Sequence, residues 1–252
     1  MRCHLSHQAI AVRPARRSER FVLWLSGRWL LIFSVVYGAF VIAPWLAPVF
    51  MKIGLTGLGN AIYFVYQFFC HQLPERSFFL FGSQPMYSLQ QIGAVWPIDD
   101  ASVLRQFVGS SEFGWKVAYS DRMMAMYTAL WIAAMIFGPL RRRLGPLPIW
   151  AYLLMIVPMT IDGSTHFISD LAGVGKGFRE TNAWLAQLTG NALPASFYAG
   201  NALGSFNSWM RLLTGALFGI ASAWLAFPYA EAAFVEVRET LESKFRRMGL
   251  AR

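Results

Sequence analysis

The sequence predicts an all-α integral membrane protein: four transmembrane helices with a re-entrant or interfacial helix and a cap on the outer face. Three observations predict it. With 56% hydrophobic residues, 14% charged residues and 10 Trp, and a mean hydropathy of +0.42, the chain would expose far too much apolar surface in water. Uncharged runs near the length of a bilayer crossing alternate with polar connections. The basic residues fall into clusters beside those runs: Arg2, Arg13, Arg16, Arg17 and Arg20 before the first, Arg141, Arg142 and Arg143 after another, and Arg238, Lys244, Arg246, Arg247 and Arg252 at the end. The long connections instead carry Asp99, Asp100, Glu112, Asp121, Asp162, Asp170 and Glu180. This is the positive-inside pattern, and it assigns the net charge of +9 to membrane orientation rather than to nucleic acid.

The elements follow in order. Residues 1–28 are a basic cytoplasmic segment. Trp29 to Phe50 is uncharged and long enough for a ~30 Å hydrocarbon core at 1.5 Å per residue. It runs from inside to outside and is expected to be a retained anchor, since no Ala-x-Ala-like site closes it. Leu55 to Gln72 is apolar, but a full crossing there would put the Arg triplet on the wrong side. It is therefore expected to be a re-entrant or interfacial helix, with Gly54, Gly57 and Gly59 easing the turn. Met123 to Leu140 returns inward to the Arg triplet, and Leu147 to Ile161 runs out again after Gly145-Pro146. Trp209 to Phe227 is the last span, and Tyr229 to Met248 after Pro228 reads as a cytoplasmic amphipathic helix. The connection from Asp162 to Ser208 belongs to the cap, with a short helix at Ala183 to Leu188. One domain, 1–252, holds the core at 29–228 and the tail at 229–252. Cys3 and Cys70 fall on opposite sides of the membrane and are not expected to pair.

Three groups of residues can carry chemistry. Cys70-His71, with Glu75 and Arg76 just beyond, sets a thiol, an imidazole and an ion pair at the end of an apolar run. The chemistry suits a metal site or proton relay, and equally a buried small hydrophobe, a capping His and a structural ion pair. Asp162, His166 and Asp170 share a face at i, i+4 and i+8 if the helix continues past Gly163. That suits a carboxylate-supported imidazole or, more plainly, a capping Asp and a satisfied His. Arg122 and Arg211 stand at outer helix entrances, where they either pair with Asp121, Asp162 or Glu180, or bind an anionic substrate or lipid headgroup. Gly215 to Gly219 is a GxxxG that helix packing explains, and Met123, Met124 and Met126 read as packing residues. The chain has no GxxxxGK[ST], HExxH, GxSxG, CxxCH or dinucleotide glycine pattern, which removes support for ATPase, zincin, lipase and cytochrome c readings.

Four blocks together resemble a known family: Cys70 to Phe78, Arg122 with Tyr127, Pro158 to Gly163, and Arg211 to Gly219. In order and setting they are similar to the uncharacterised predicted bacterial membrane proteins grouped as domain of unknown function 2085. The resemblance implies a multi-pass protein of the bacterial cytoplasmic membrane with both termini inside. It implies that Cys70, His71, Arg76, Arg122, Asp162 and Arg211 converge on one outer-face site, and it carries no activity. Family members often follow the Cys-His block with Cys-x-Arg-Cys. Here Ser120 and Met123 stand at those two cysteines, so a divalent metal would fall to His71, Asp162 and His166.

Two readings follow. One is a non-catalytic accessory or assembly subunit that docks other membrane-protein subunits through its apolar surface, its GxxxG and its basic tails. The other is an outer-face metal- or small-ligand-binding site built from Cys70, His71, Asp162 and His166, with redox or hydrolytic chemistry. The separate motifs, each explicable by structure alone, favour the first.

Overall fold

A computed structural model describes residues 17–98 and 100–249. Cys3, the basic residues before Arg17, Asp99 and Arg252 lie outside them. Helix α1 (Arg17–Lys52) contains the first apolar run and extends it by three turns into the basic segment. It stops at Gly54, whose φ of 84° an L side chain would resist, while Leu55 N–H returns to the Phe50 carbonyl at 2.8 Å.

Helix α2 (Thr56–Tyr66) is 11 residues long, about 16 Å at 1.5 Å per residue, and so about half of a bilayer crossing. It folds back along α1: Gly59 meets Met51 and Ala47, and the Tyr66 hydroxyl donates to the Phe40 carbonyl at 2.7 Å. Gln72 then turns the chain at a φ of 54°, and a single 3-10 turn, Pro74–Arg76, leads into strand β1 (Ser77–Leu80).

The cap corrects the expectation of an all-α protein. Strands β1, β2 (Gly109–Ser110) and β3 (Gly114–Ser120) form an antiparallel sheet in the order β1-β3-β2, with Ser77 opposite Ser120 and Phe79 opposite Lys116. The sheet closes over Phe79, Tyr87, Ile92, Leu104 and Phe107, together with the short helices α3 (Leu89–Gly93) and α4 (Ala101–Leu104). Aromatic and β-branched residues suit these half-buried strands. The segments are too short for alternation to declare them among the apolar residues around them.

Helix α5 (Asp121–Leu140) starts directly where β3 ends, so the sheet fixes the head of a span. Helix α6 (Ile149–Asp170) continues well past Ile161, carrying Asp162 and His166 on one buried face. The short helices α7 (Ala183–Leu188) and α8 (Ala195–Tyr198) complete the cap, α7 with the bounds expected from sequence. Helix α9 (Phe206–Arg247) absorbs both the last span and the expected separate tail helix. Pro228 does not break it. Proline lacks the N–H that Trp224 would accept from within the helix, and the Leu147 N–H faces that carbonyl instead at 3.4 Å.

Helices α1 and α6 run towards the cap, and α5 and α9 run away from it. Trp29 Nε1 donates to Glu231 at one end, and Arg211 meets Asp121 at the other. The parallel pair α5 and α9 meets at the two glycines: a Cβ on Gly215 would lie 2.7 Å from the Arg122 carbonyl, and one on Gly219 would collide with the Met126 carbonyl. The GxxxG is thus used inside the chain and is not free for a partner. Met123 and Met124 pack against the cluster of Ala47, Tyr63, Tyr66 and Tyr119. Among the described residues three helices, α1, α5 and α9, are long and apolar enough to cross a membrane.

Candidate functional site

The junction of cap and bundle is built from buried ions. Asp121, the first residue of α5, is fully buried. It takes two hydrogen bonds from Arg211, Nε to Oδ1 at 2.7 Å and Nη2 to Oδ2 at 2.8 Å, and one from the Ser208 hydroxyl at 3.1 Å. The rest of the Arg211 guanidinium donates to the side-chain and backbone oxygens of Asn201 at 2.8 and 2.7 Å. Asp162 on α6 receives Arg122 Nη2 at 2.7 Å and Arg179 Nη2 at 2.5 Å, one on each oxygen. Arg179 stacks over Phe206, and Asn207 and Asn182 donate to its carbonyl. Arg76 grips Asp170 with both Nη atoms, at 3.0 and 2.7 Å.

These pairs surround a cavity of about 380 Å³ lined by Cys70, His71, Arg76, Ser120, Arg122, Met123, His166, Phe167, Asp170 and Arg211 among others. The structure therefore brings Cys70, His71, Arg76, Arg122, His166 and Arg211 to one cleft, with Asp162 behind Arg122. Glu75 is turned away and buried beside Arg76, 3.5 Å from its Nε. Ser120 and Met123 lie in the same cleft, the Ser120 hydroxyl 3.4 Å from the Cys70 sulfur. Cys70 is buried and free. It accepts the N–H groups of Gln72 and Ser120 at 3.3 and 3.2 Å.

The metal set is corrected by this geometry. His71 is exposed on the cleft wall, while His166 and Asp162 are buried and committed to Arg179 and Arg122. Among the described residues no three His, Cys, Asp or Glu side chains are arranged to hold a metal ion. The guanidiniums around Asp162 also disfavour a cation.

Two buried polar atoms of cleft-lining residues have no hydrogen bond, and both are donors. Arg179 Nη2 lies 3.2 Å from His166 Nε2. A guanidinium only donates, so Nε2 accepts and the ring proton sits on Nδ1, which is buried without a partner. Arg76 Nε is likewise buried without a hydrogen bond. Arg122 uses Nη2 on Asp162, and its Nη1 lies over Gly163, where a Cβ would come within 2.9 Å. Four guanidiniums, of Arg76, Arg122, Arg179 and Arg211, face three aspartates. Glu75 adds a fourth carboxyl, 3.5 Å from Arg76 Nε, and burial pushes its pKa up.

Sequence reasoning missed Arg179, Asn182, Asn201, Asn207 and Lys116. The first three lie in a connection without periodicity and Asn207 in the first turn of α9, so no pattern exposes them. Lys116 could have been found, because it is the single charge in the apolar strand Gly114–Ser120. It is fully buried, and its ammonium donates to the carbonyls of Gln72 at 2.9 Å and Arg105 at 2.5 Å. Burial pushes its pKa down to about 7.

Compared with known proteins, the chain is 26% identical over 161 residues to the uncharacterized protein MJ1492 of Methanocaldococcus jannaschii, covering 61% of this chain and 80% of that one. No solved structure matches it. Residues 111–198, which hold β3, α5, α6, α7 and α8, match the family model described as predicted membrane protein DUF2085, the family that the sequence blocks resemble.

Proposed function

We propose that this membrane protein binds a small oxyanion, a phosphate or carboxylate group, in the cleft between its cap and its helices. One observation carries this: two buried polar atoms of residues that line the cleft, Arg76 Nε and His166 Nδ1, have no hydrogen bond, and both are donors, set beside the guanidiniums of Arg122 and Arg211. Buried donors without acceptors are costly, and an oxyanion supplies what they lack. Cys70, His71, Arg76, Arg122 and Arg211 then line a ligand site, with Asp162, Asp121 and Glu75 holding the arginines in place.

The matching topology has four spans, α6 being the fourth because it leads from the Arg141–Arg143 end back to the cap. Both termini are cytoplasmic, and α2 is an interfacial helix beside the outer end of α1. The distribution of arginines supports this orientation.

The test is thermal unfolding of the detergent-purified protein with added inorganic phosphate. Wild type is expected to be stabilised and Arg122→Gln not, with Arg122→Lys intermediate. An unmoved transition in wild type with phosphate, sulfate and acetate alike would sink the proposal.

A second reading, an accessory or assembly subunit, draws on the apolar groove of about 400 Å³ between α5 and α9, lined by Ile132, Ile136, Ile220, Trp224 and Phe227 among others. Co-purification of a stoichiometric partner in gentle detergent would support it, and a stable monomer would count against it.

A further inference from the structure

Resting on the oxyanion reading, we infer that the ligand is the phosphate headgroup of a lipid, entering the cleft sideways from the outer leaflet. Three observations lead there.

The first is depth. Helix α5 has 20 residues, about 30 Å, which is the thickness of the hydrocarbon core with nothing to spare. Its first two residues, Asp121 and Arg122, therefore sit at the hydrocarbon boundary, where lipid phosphates lie. A site for a soluble anion has no need of that level.

The second is the wall. The cleft is not a uniformly polar pocket: Leu73, Met123 and Phe167 line it beside the arginines. A free phosphate would leave that apolar side unused, whereas an amphiphile with an anionic head and an apolar body matches both parts.

The third is the mouth. The cleft is walled on one side by Cys70 and on the other by Phe167, and the residues next to these are outward-facing and apolar. Phe68 is 73% exposed, Phe167 67% and Leu171 72%, with Phe69 and Ile168 also exposed. Exposed apolar side chains at the bilayer boundary face lipid rather than water. The headgroup would reach Arg122 while its chains leave between the end of α2 and the end of α6. The same arrangement explains why Phe167 is placed so openly one residue after a buried His166.

The experiment compares three additives on the full chain in a neutral sugar detergent, read by thermal unfolding: inorganic phosphate, dioleoyl phosphatidic acid and dioleoylglycerol. Phosphatidic acid is expected to reach half its effect at a concentration about tenfold or more below that of phosphate, with dioleoylglycerol inactive. Phe68→Gln, at an exposed position outside the lining of the cleft, is expected to remove the advantage of the lipid and leave the phosphate response intact. Equal potency of phosphate and phosphatidic acid, or an unchanged lipid response in Phe68→Gln, would overturn the lipid assignment while leaving the oxyanion site standing. An equal effect of dioleoylglycerol would overturn it as well, since the headgroup would then be irrelevant. Silence of both phosphate and phosphatidic acid would remove the oxyanion reading itself.

Discussion

The Arg211 guanidinium and the Asp121 carboxylate form a two-point ion pair, at 2.7 and 2.8 Å, with neither residue more than 2% exposed. It joins the heads of α5 and α9 at the depth where the cap begins. Removing one partner of a buried pair strands the other charge, at a cost of ~3–5 kcal/mol. Asp121→Ala and Arg211→Ala are each expected to lower the thermal transition in detergent strongly. The double change Asp121→Leu with Arg211→Met should cost less than the two singles summed. Additive losses would mean that the residues act separately.

The close approach of α5 and α9 depends on two absent side chains. A Cβ at Gly219 has no room against the backbone carbonyl of Met126, and backbone cannot rotate away as a side chain can. Gly219→Val is therefore expected to force the helices apart and cost ~2 kcal/mol or more, in the range of overpacked cores. Gly145→Ala, where nothing lies within 4 Å, is the control and should be near neutral. The comparison is read from thermal unfolding and from yield of folded protein.

Lys116 gives the cap a pH dependence with a definite sign. Its folded pKa is pushed down to about 7 by burial, against an ordinary 10.5. Between those values the unfolded chain holds a proton that the folded one has released, so this group makes stability rise with pH across that window. Each unit of pKa difference corresponds to about 1.4 kcal/mol. Lys116→Met removes the slope, and it also removes the hydrogen bonds to Gln72 and Arg105. The predicted result is a shallower rise of the transition temperature between pH 7 and 10 in the variant than in wild type. Parallel curves would count against a titrating Lys116.

Much of this architecture is legible in the sequence because lipid imposes simple rules. An uncharged run of span length, closed by an Arg triplet, reads as α5 with only its first two residues missed. The pairing of Arg122 and Arg211 with Asp162 and Asp121 was accessible because charges at span entrances must find partners. The sheet was not accessible. Ser77–Leu80 and Gly114–Ser120 are short and separated by more than thirty residues, so their pairing is a tertiary choice. The continuity of α9 through Pro228 was hidden for a similar reason, since the donor facing the Trp224 carbonyl comes from Leu147, far away in sequence. Arg179 was invisible because its role is fixed by the fold of an irregular connection.

Orientation is testable by cysteine accessibility, though not through the native thiol. Cys70 is 6% exposed and held by two backbone N–H groups, so it should label slowly from either side. His71→Cys, exposed one residue further on, is expected to react with a membrane-impermeant maleimide in intact cells, and Glu239→Cys on α9 only after permeabilisation. Both should be read in a background with Cys3→Ser and Cys70→Ser. The reverse pattern would invert the proposed topology.

Gly163 separates ligand binding from stability. Its position beneath Arg122 Nη1 lets the guanidinium lie flat across α6, and an added methyl would push on the far end of a flexible side chain rather than on backbone. Ala is also favoured over Gly in a helix interior by up to ~1 kcal/mol. Gly163→Ala is therefore expected to leave the transition temperature without ligand unchanged or slightly raised, because the displacement of Arg122 is cheap. The same displacement moves the donor that the cleft offers to an oxyanion, so the stabilisation by phosphate should fall. A variant that is destabilised yet binds phosphate normally would show that Gly163 serves packing alone, and that Arg122 Nη1 is not part of the site.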